Sequence, residues 1–246
     1  MDLHTYAILF EVEADHWWHS SRREIVLDQV AQLYPGRTDL RLLDAGCGTG
    51  LMLQQLKRFG MAEGVDISEA ALDFCRQRGL TAVHEGDLRK LPFPDQSLDV
   101  ITALDVIEHM EDDGATLREF GRVLKPGGRC FIFVPAHKWL WSLQDDVSHH
   151  YRRYTRRTLA DAVRRGGLRV ERETYVNAFL LPVIFAGRLA LRVVLRFRHD
   201  IDSENGLHPG WSNGLLGRIF RAEIPILRRM NLPLGASLLC VARKES

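Results

Sequence analysis

The sequence predicts an α/β fold with a doubly wound, seven-stranded and mostly parallel sheet whose last strand is antiparallel. Short apolar runs alternate with segments of helical periodicity, which is the pattern of repeated β-α-β units. One run, Leu98–Leu104, is almost continuously apolar, as expected of a strand that is covered on both faces. A glycine-rich turn, Gly46–Gly50, directly follows the first run and favours a ligand site at that end of the sheet.

Helical segments lie before and between the predicted strands. The first, Tyr6–Tyr34, ends at the breaker Pro35-Gly36. The predicted strands are Leu40–Leu43, Ala62–Asp66, Leu80–Val83, Leu98–Leu104, Arg129–Val134, Leu168–Tyr175 and Ala236–Val241. The predicted helices of the core are Leu51–Arg58, Glu69–Arg78, Gly114–Leu124 and Thr158–Arg165. Residues 179–230 are also mostly helical in pattern, with a polar break at His199–Asn213.

These elements predict five parts of the chain. A helical lid spans 1–36, and an α/β core that binds the ligand spans 37–136. A linker with the remaining core spans 137–177, and a helical cap spans 178–231. The final strand of the core lies in 232–246, so the cap is an insertion before that strand.

Composition limits the classes of function. The chain has 246 residues and a formal net charge of +1, so no strong overall field attracts nucleic acid. Its four cysteines are scattered without CxxC spacing, which predicts reduced thiols in a cytoplasmic protein and no metal site. The N-terminus lacks the pattern of a signal peptide. The most apolar tract, Ala178–Ala190, is too short to span a bilayer.

Acidic residues stand at the ends of four strand regions. They are Asp44, Asp66, Asp87 and Asp105. Ligands of open α/β sheets bind beyond the carboxyl ends of the strands, so these side chains are candidates for ligand contact. An acid at the second strand end, here Asp66, can hold both hydroxyls of a ribose. Each acid alone is also explained as a helix N-cap. Four acids at equivalent positions, one at each strand end, favour a ligand site.

The motifs around these acids resemble those of class I S-adenosylmethionine-dependent methyltransferases, which have a Rossmann-like fold. The matching segments are Leu43–Gly50, Val65–Ser68, Glu85–Leu88, Leu104–His109 and Val123–Gly128. The dinucleotide-binding pattern G-x-G-x-x-G is absent. After Gly46 and Gly48 it would need a third glycine at position 51, where this chain has Leu51. The resemblance implies S-adenosylmethionine as cofactor and S-adenosylhomocysteine as product.

The resemblance also implies a role for each residue of the cofactor site. Asp44 and the turn Gly46, Cys47, Gly48 and Gly50 would line the methionine part. Asp66 would hold the ribose, Asp87 the adenine amino group and the amide of Leu88 a ring nitrogen, while Leu104 would border the sulfonium. The remaining residues of the predicted cofactor site are Ile67, His109, Trp18 and Arg22. Cys47 is expected to pack in the turn and not to act as a nucleophile.

The flanks resemble a narrower branch of that family. His16-Trp17-Trp18 with Arg22 resembles an aromatic and arginine lid near the cofactor. The residues Asp145, His150, Arg153, Tyr154 and Thr155 resemble a linker signature of the form D-x4-H-x2-RYT. Asn177 and the segment 232–238 match the same branch.

The linker supplies the candidates for acceptor chemistry. We predict that His150 is the general base, because imidazole titrates near neutrality, and that Asp145 orients it. The predicted acceptor-binding residues are Arg153, Tyr154, Trp141 and Asn177. Alternatives stay open: the histidine and arginines equally suit a solvated loop or a latch for the lid, and Trp141 equally suits core burial.

The sequence therefore predicts a cytoplasmic S-adenosylmethionine-dependent methyltransferase that acts on oxygen or nitrogen of a small-molecule acceptor. One alternative is a lipid-linked or glycan acceptor at a membrane surface, suggested by the basic stripe Arg188, Arg192 and Arg196 on an apolar helix. Another is a non-catalytic module that binds the cofactor. A nucleic-acid substrate is not expected, since the chain has no large basic surface pattern. The identity of the acceptor and the oligomeric state do not follow from the sequence.

Overall fold

One seven-stranded sheet runs through the protein in the order β3-β2-β1-β4-β5-β7-β6. The computed structural model describes residues 3–194 and 210–245. The strands are β1 (Leu40–Ala45), β2 (Gly60–Asp66), β3 (Val83–Glu85), β4 (Leu98–Leu104), β5 (Leu124–Pro135), β6 (Arg169–Val176) and β7 (Ser237–Arg243). β1 to β5 are parallel, and β7 pairs antiparallel with β5 and β6. The predicted fold class is confirmed.

Helices cover both faces of the sheet. They are α1 (Leu3–Val12), α2 (Trp17–Leu33), α3 (Leu51–Leu56), α4 (Glu69–Gln77), α5 (Asp113–Val123), α6 (Leu143–Val147), α7 (Arg156–Arg165), α8 (Leu181–Val194), α9 (Gly210–Arg221) and α10 (Ile224–Leu227). Short 3₁₀ turns lie at Lys57–Phe59, Ile107–His109 and Lys138–Leu140. In the part of the chain that the structure describes, no helix combines the length and apolarity needed to cross a membrane.

Alternating side chains of the strands divide the core into two layers. On β5, Phe131 and Phe133 pack in the layer that contains α2 and α9. The neighbouring Ile132 and Val134 point to the opposite face and pack in the layer that contains α5 and α7. All four side chains are fully buried. The central strands are therefore apolar on both faces, as the sequence pattern predicts.

The third strand differs from its prediction. The apolar run suggests a strand at Leu80–Val83, but β3 begins only at Val83. The amide of Leu80 donates to the carbonyl of Cys75 at 3.0 Å, just after Gly79 at a φ of +76°. Leu80 thus completes the end of α4 and buries its side chain there, so its apolar character reflects a helix stop and not a strand.

Part of the predicted cap lies outside the described residues. These are residues 195–209, which include Arg196 of the predicted basic stripe. The described part of the cap contains α8, α9 and α10. α9 packs against α2, where the rings of Trp17 and Phe220 are 6.1 Å apart and the amide of Trp17 donates to Asn213 Oδ1 at 2.7 Å. The helical insertion therefore holds the N-terminal helix on the sheet.

Gly60, at the start of β2, provides a test of the packing between β1 and β2. Its φ is +148°, and a Cβ there would lie 2.1 Å from the carbonyl oxygen of Leu40. We expect Gly60→Ala to lower the free energy of unfolding by about 3 kcal/mol or more, because backbone strain and overpacking add. Urea unfolding measures this change.

Gly79→Ala is the matched control for that substitution. Gly79 also has a positive φ of +76°, but a Cβ there would meet no atom within 4 Å. Only the backbone strain applies, so the expected loss is about 1–2 kcal/mol. Equal losses in the two variants would contradict the contact assigned to Gly60.

Candidate functional site

The turn between β1 and α3 exposes main chain because its glycines adopt left-handed conformations. The φ angles of Gly46, Gly48 and Gly50 are 71°, 51° and 87°. A Cβ on Gly46 would lie 2.6 Å from Cγ2 of Val106, so no larger residue fits there without movement. The amide of Gly46 donates to the carbonyl of Val65 at 2.8 Å, which fixes the turn against β2. A ligand can therefore approach this backbone closely.

Asp66 lies at the end of β2 and connects that strand to the glycine turn. Its carboxylate accepts from the amide of Gly48 at 2.9 Å and from the amide of Ser68 at 3.0 Å. Burial raises the pKa of Asp66, while these two hydrogen bonds oppose the shift. Ile67, the next residue, is 73% exposed. Asp66 thus fixes the turn that leads into α4, and each of its oxygens keeps a further lone pair for a ligand.

Two more acids stand at the ends of β1 and β4. The carboxylate of Asp44 is buried and accepts from the hydroxyl of Thr102 at 2.7 Å. Burial raises its pKa to about 7. Asp105, at a φ of +54°, forms an ion pair with Arg22 from α2. Leu104, which precedes it, is buried. The lid helix is therefore tied to the end of β4 by a charged contact.

Asp87 and Leu88 follow β3. The carboxylate of Asp87 accepts from the guanidinium of Arg89, with Nε 3.0 Å and Nη2 2.5 Å away. The Arg89 side chain lowers the pKa of Asp87, which is therefore ionised at neutral pH. Leu88 is buried in the core under this turn. A ligand group that binds Asp87 has to share it with Arg89.

Cys47 in the glycine turn is buried. A hydrogen bond with Cys75 and burial raise the pKa of the Cys47 thiol far above its usual range. The thiolate is the reactive form of cysteine, so this environment suits packing.

The charges around the turn select the kind of ligand that fits it. The side chains at the ends of β1, β2 and β4 are the carboxylates of Asp44, Asp66 and Asp105. These groups disfavour a pyrophosphate, and they suit a ligand with hydroxyl donors and cationic groups. S-adenosylmethionine has ribose hydroxyls, an ammonium and a sulfonium. The residues present therefore fit this cofactor.

Helix α1 lies over the glycine turn. The side chain of Leu9 would be 3.8 Å from a Cβ built on Gly48. The carboxylate of Glu13 accepts from the hydroxyl of Thr49 and from Arg78 Nη2, the latter at 2.7 Å. These contacts hold the N-terminal segment against both the turn and α4.

Helix α2 covers the same region from the side of β5. Trp18 stacks on Phe220 with ring centroids 5.7 Å apart and meets Phe133 edge-on at 6.0 Å. One turn later, Arg22 reaches Asp105. The structure thus places Trp18 between β5 and α9 and Arg22 at the end of β4.

Asp145 organises the linker after β5. It accepts from His150 Nδ1 at 2.8 Å and from two nitrogens of Arg153, each at 2.8 Å. Burial raises the pKa of Asp145, but the hydrogen bonds from His150 and Arg153 outweigh burial and hold the pKa well below its usual range. Asp145 is ionised, and it fixes the imidazole of His150 through Nδ1.

Three of the four predicted acceptor-binding residues are engaged in side-chain contacts within the protein, whereas the buried side-chain amide of Asn177 has no hydrogen-bond partner among the described residues. The hydroxyl of Tyr154 is buried and donates to Asp113 Oδ2 at 2.9 Å. Trp141 Nε1 donates to Asp146 Oδ1 at 2.8 Å. Asn177 is buried at a φ of +60°. Arg153, paired with Asp145, is buried as well, so these contacts favour the structural alternative for the two linker residues Arg153 and Tyr154.

A group that the sequence analysis missed lies beside His150. Glu108 is fully buried, and neither of its carboxylate oxygens has a hydrogen-bond partner among the described residues. Burial and the charge of Asp105 raise the pKa of Glu108 well above its usual range. The rings of His109 and His150 are 4.6 Å apart, and burial, reinforced by His150, lowers the pKa of His109 to about 4. In the sequence, the adjacent Glu108 and His109 after the fourth strand are the feature that could have indicated this group.

Comparison with known proteins assigns the central part of the chain to a family. Residues 43–132 match the family model described as methyltransferase domain. The bifunctional biotin biosynthesis protein BioHC of Cellvibrio japonicus is 31% identical over 202 residues, which cover 77% of this chain and 38% of that protein. A ubiquinone biosynthesis O-methyltransferase of Alkalilimnicola ehrlichii is 31% identical over 48% of this chain and 54% of that enzyme. The chain thus spans well under two thirds of the length of these two relatives.

Solved structures support the same fold. An S-adenosylmethionine-dependent methyltransferase from Thermotoga maritima aligns with a TM-score of 0.60 at 20% identity, over 98% of this chain and 96% of that one. One from Archaeoglobus fulgidus aligns with a TM-score of 0.55 at 22% identity, over 90% and 94%. The motifs, the matched domain and the fold agree. Residues 43–132 are thus a methyltransferase domain with the motifs of the class I S-adenosylmethionine-dependent family, whose methyl donor is S-adenosylmethionine.

Proposed function

We propose that this chain transfers a methyl group from S-adenosylmethionine to a hydroxyl oxygen of a small-molecule acceptor. The observation that carries the proposal is the His150–Asp145 pair, which adjoins the segment after β4 through the bond from the amide of Tyr151 to the carbonyl of Glu108 at 2.9 Å. The same segment directly follows β4, and β4 pairs with β1, the strand that leads into the glycine turn. A candidate base therefore lies near the predicted donor site.

The printed names of several relatives support oxygen as the methylated atom. They include ubiquinone biosynthesis O-methyltransferases, a 27-O-demethylrifamycin SV methyltransferase of Amycolatopsis mediterranei and a malonyl-[acyl-carrier protein] O-methyltransferase of Yersinia pestis. Their acceptors differ widely, so the shared feature is the oxygen and not the acceptor skeleton. We extend only that feature to this chain.

The cofactor roles that we propose follow the polar edge of the sheet. Asp66 holds the ribose, while Asp44 and the glycine turn receive the methionine part. The adenine of the cofactor contacts the exposed side chain of Ile67 and the turn formed by Asp87 and Leu88. The other residues proposed at this site are Leu104, His109, Trp18 and Arg22.

The mechanism that we propose is an in-line displacement. When bound, the cofactor would supply an electrophilic methyl group to the acceptor oxygen, with a neutral thioether as the leaving group. Nε2 of His150 accepts the proton of the acceptor hydroxyl, because Nδ1 is held by Asp145. The lid, tied down by the Arg22–Asp105 ion pair, excludes water from the site.

The role of Asp66 is tested by Asp66→Asn, which keeps the volume of the side chain and removes its charge. We expect the affinity for S-adenosylhomocysteine to fall about ten- to a hundredfold, the equivalent of losing a charged hydrogen bond of about 1.5–3 kcal/mol. Titration calorimetry measures the change. Asp73→Asn, on the exposed face of α4, is the control and should bind as wild type does. If Asp66→Asn lowers only the melting temperature, capping is the better account.

The role of His150 is tested by His150→Ala. We expect unchanged affinity for S-adenosylhomocysteine and a turnover about 10²–10⁴-fold lower, if removal of the acceptor proton limits the rate. Formation of S-adenosylhomocysteine with a panel of phenols, catechols and carboxylic acids measures turnover.

His149→Asn is the matched control for His150→Ala. His149 is exposed at a φ of +55°, which asparagine tolerates, and it adjoins the proposed base without joining the Asp145 pair. Full turnover in His150→Ala would remove that residue from catalysis. No turnover by wild type with any acceptor would favour the non-catalytic alternative.

A second candidate is an apolar or lipid-linked acceptor at a membrane surface. It is favoured by exposed apolar side chains on and beside α8, namely Phe179, Val183, Phe185 and Leu189. Such a patch on a helix suits contact with acyl chains or a long apolar acceptor. The two candidates share one chemistry and differ in how the acceptor reaches the site.

Vesicle binding tests this second candidate. We expect wild type to sediment with vesicles of phosphatidylcholine and phosphatidylglycerol. The double variant Val183→Asp and Leu189→Asp should bind at least about tenfold less, because each buried aliphatic side chain contributes about 1.5–3 kcal/mol. Met230→Asp, which is exposed elsewhere on the surface, is the control. Equal sedimentation of all three proteins would exclude this surface.

A further inference from the structure

Three side chains with metal-binding atoms lie together beyond β4. Glu108 and His109 are on the 3₁₀ turn that follows this strand, and His150 comes from the linker after α6. One ligand atom from each residue lies within 4.8 Å of the others. The bond from the amide of Tyr151 to the carbonyl of Glu108, at 2.9 Å, holds the two segments side by side. The cluster is therefore set by the backbone and not by a chance approach of flexible side chains.

The charge of the Glu108 carboxylate is only weakly compensated by the protein. Its side chain is 0% exposed, and both oxygens are without a hydrogen-bond partner in the described part of the chain. The nearest guanidiniums belong to Arg22 and Arg153, and these pair with Asp105 and Asp145. Three carboxylates thus face two cations. A buried carboxylate in this position is costly, so Glu108 either takes up a proton or binds a further cation.

Both histidines are oriented in the manner of metal ligands. Nδ1 of His150 is hydrogen-bonded to Asp145 at 2.8 Å, and His109 donates to the backbone carbonyl of Ser148. One nitrogen of each ring is therefore occupied by an acceptor, which leaves the other as the available ligand atom. Histidine ligands of metals commonly have such a partner on their second nitrogen.

We propose that Glu108, His109 and His150 bind a divalent transition-metal cation, with zinc as the best fit. Two imidazoles and one carboxylate suit zinc or a similar metal better than magnesium, which prefers oxygen ligands. Bonds of about 2.0–2.2 Å put tetrahedral ligand atoms about 3.4 Å apart. The ligand atoms now lie within 4.8 Å of one another, so binding would draw them together by at most about 1.4 Å. His109 and His150 are partly exposed, whereas Glu108 is buried.

The catalytic consequence of this site rests on the proposed function. A hydroxyl of the acceptor that coordinates the cation has a lower pKa, so it loses its proton to water more readily before it attacks the methyl carbon. Nε2 of His150 is a ligand in that state and does not itself take the proton. The cation, the two guanidiniums and the three carboxylates then leave one positive charge, which a deprotonated acceptor oxygen neutralises.

The experiment is a titration of the full chain, first freed of metal with a chelator, with Zn²⁺ by calorimetry and with Co²⁺ by visible absorption. We expect one equivalent to bind in wild type, with absorption bands of a low-symmetry cobalt site. Glu108→Gln keeps the shape of the side chain, and it should weaken Zn²⁺ affinity at least about tenfold, as should His109→Asn. His149→Asn should bind as wild type does.

Folding is monitored in each variant by its melting temperature, and in Glu108→Gln also by its affinity for S-adenosylhomocysteine, so that loss of the metal site is not confused with unfolding. Equal Zn²⁺ affinity in wild type, Glu108→Gln and His109→Asn would overturn the proposed site, even if methyl transfer is observed. Methyl transfer at full rate by the chelated enzyme would remove its catalytic consequence. Stoichiometric binding without methyl transfer to any acceptor would leave the site intact and count against the proposed function.

Discussion

Burial of negative charge at the carboxyl edge of the sheet is the constraint that organises this protein. Each acid there is compensated differently: Asp44 by a threonine hydroxyl, Asp66 by two backbone amides, Asp105 by the lid arginine and Asp145 by a histidine and an arginine. Glu108 is the exception, since it has no such partner among the described residues. The position of the turn, lid and linker therefore follows from how these charges are satisfied.

One short segment joins the three functional regions. Leu104 ends the strand beside the glycine turn, and Asp105 holds the lid through Arg22. Three residues later, Glu108 contacts the linker by its carbonyl. A shift of this segment would change the lid, the donor site and the acceptor side together. The positive φ of Asp105, +54°, marks the point where the chain leaves the strand to make these contacts.

The strand-end acids could be predicted because alternation of strands and helices determines which residues reach the carboxyl edge. The sequence could not indicate in which direction the linker side chains point. Arg153 and Tyr154 have suitable chemistry for an acceptor, but they are buried against Asp145 and Asp113. The lack of a hydrogen-bond partner for Glu108 likewise depends on segments that are distant in sequence. The sequence pattern around Glu108 therefore could not reveal it.

The contact between α2 and α9 has a consequence for synthesis of the chain. Trp17 donates through its amide to Asn213, which lies 196 positions later. Contacts at such separation form late, because the intervening chain has to be made and ordered first. During synthesis, β1 to β5 and the glycine turn are therefore made before the contact between α2 and α9 can form. In that interval α2 lacks α9 as a packing partner, while Glu13 and Arg22 already have their partners at Thr49 and Asp105.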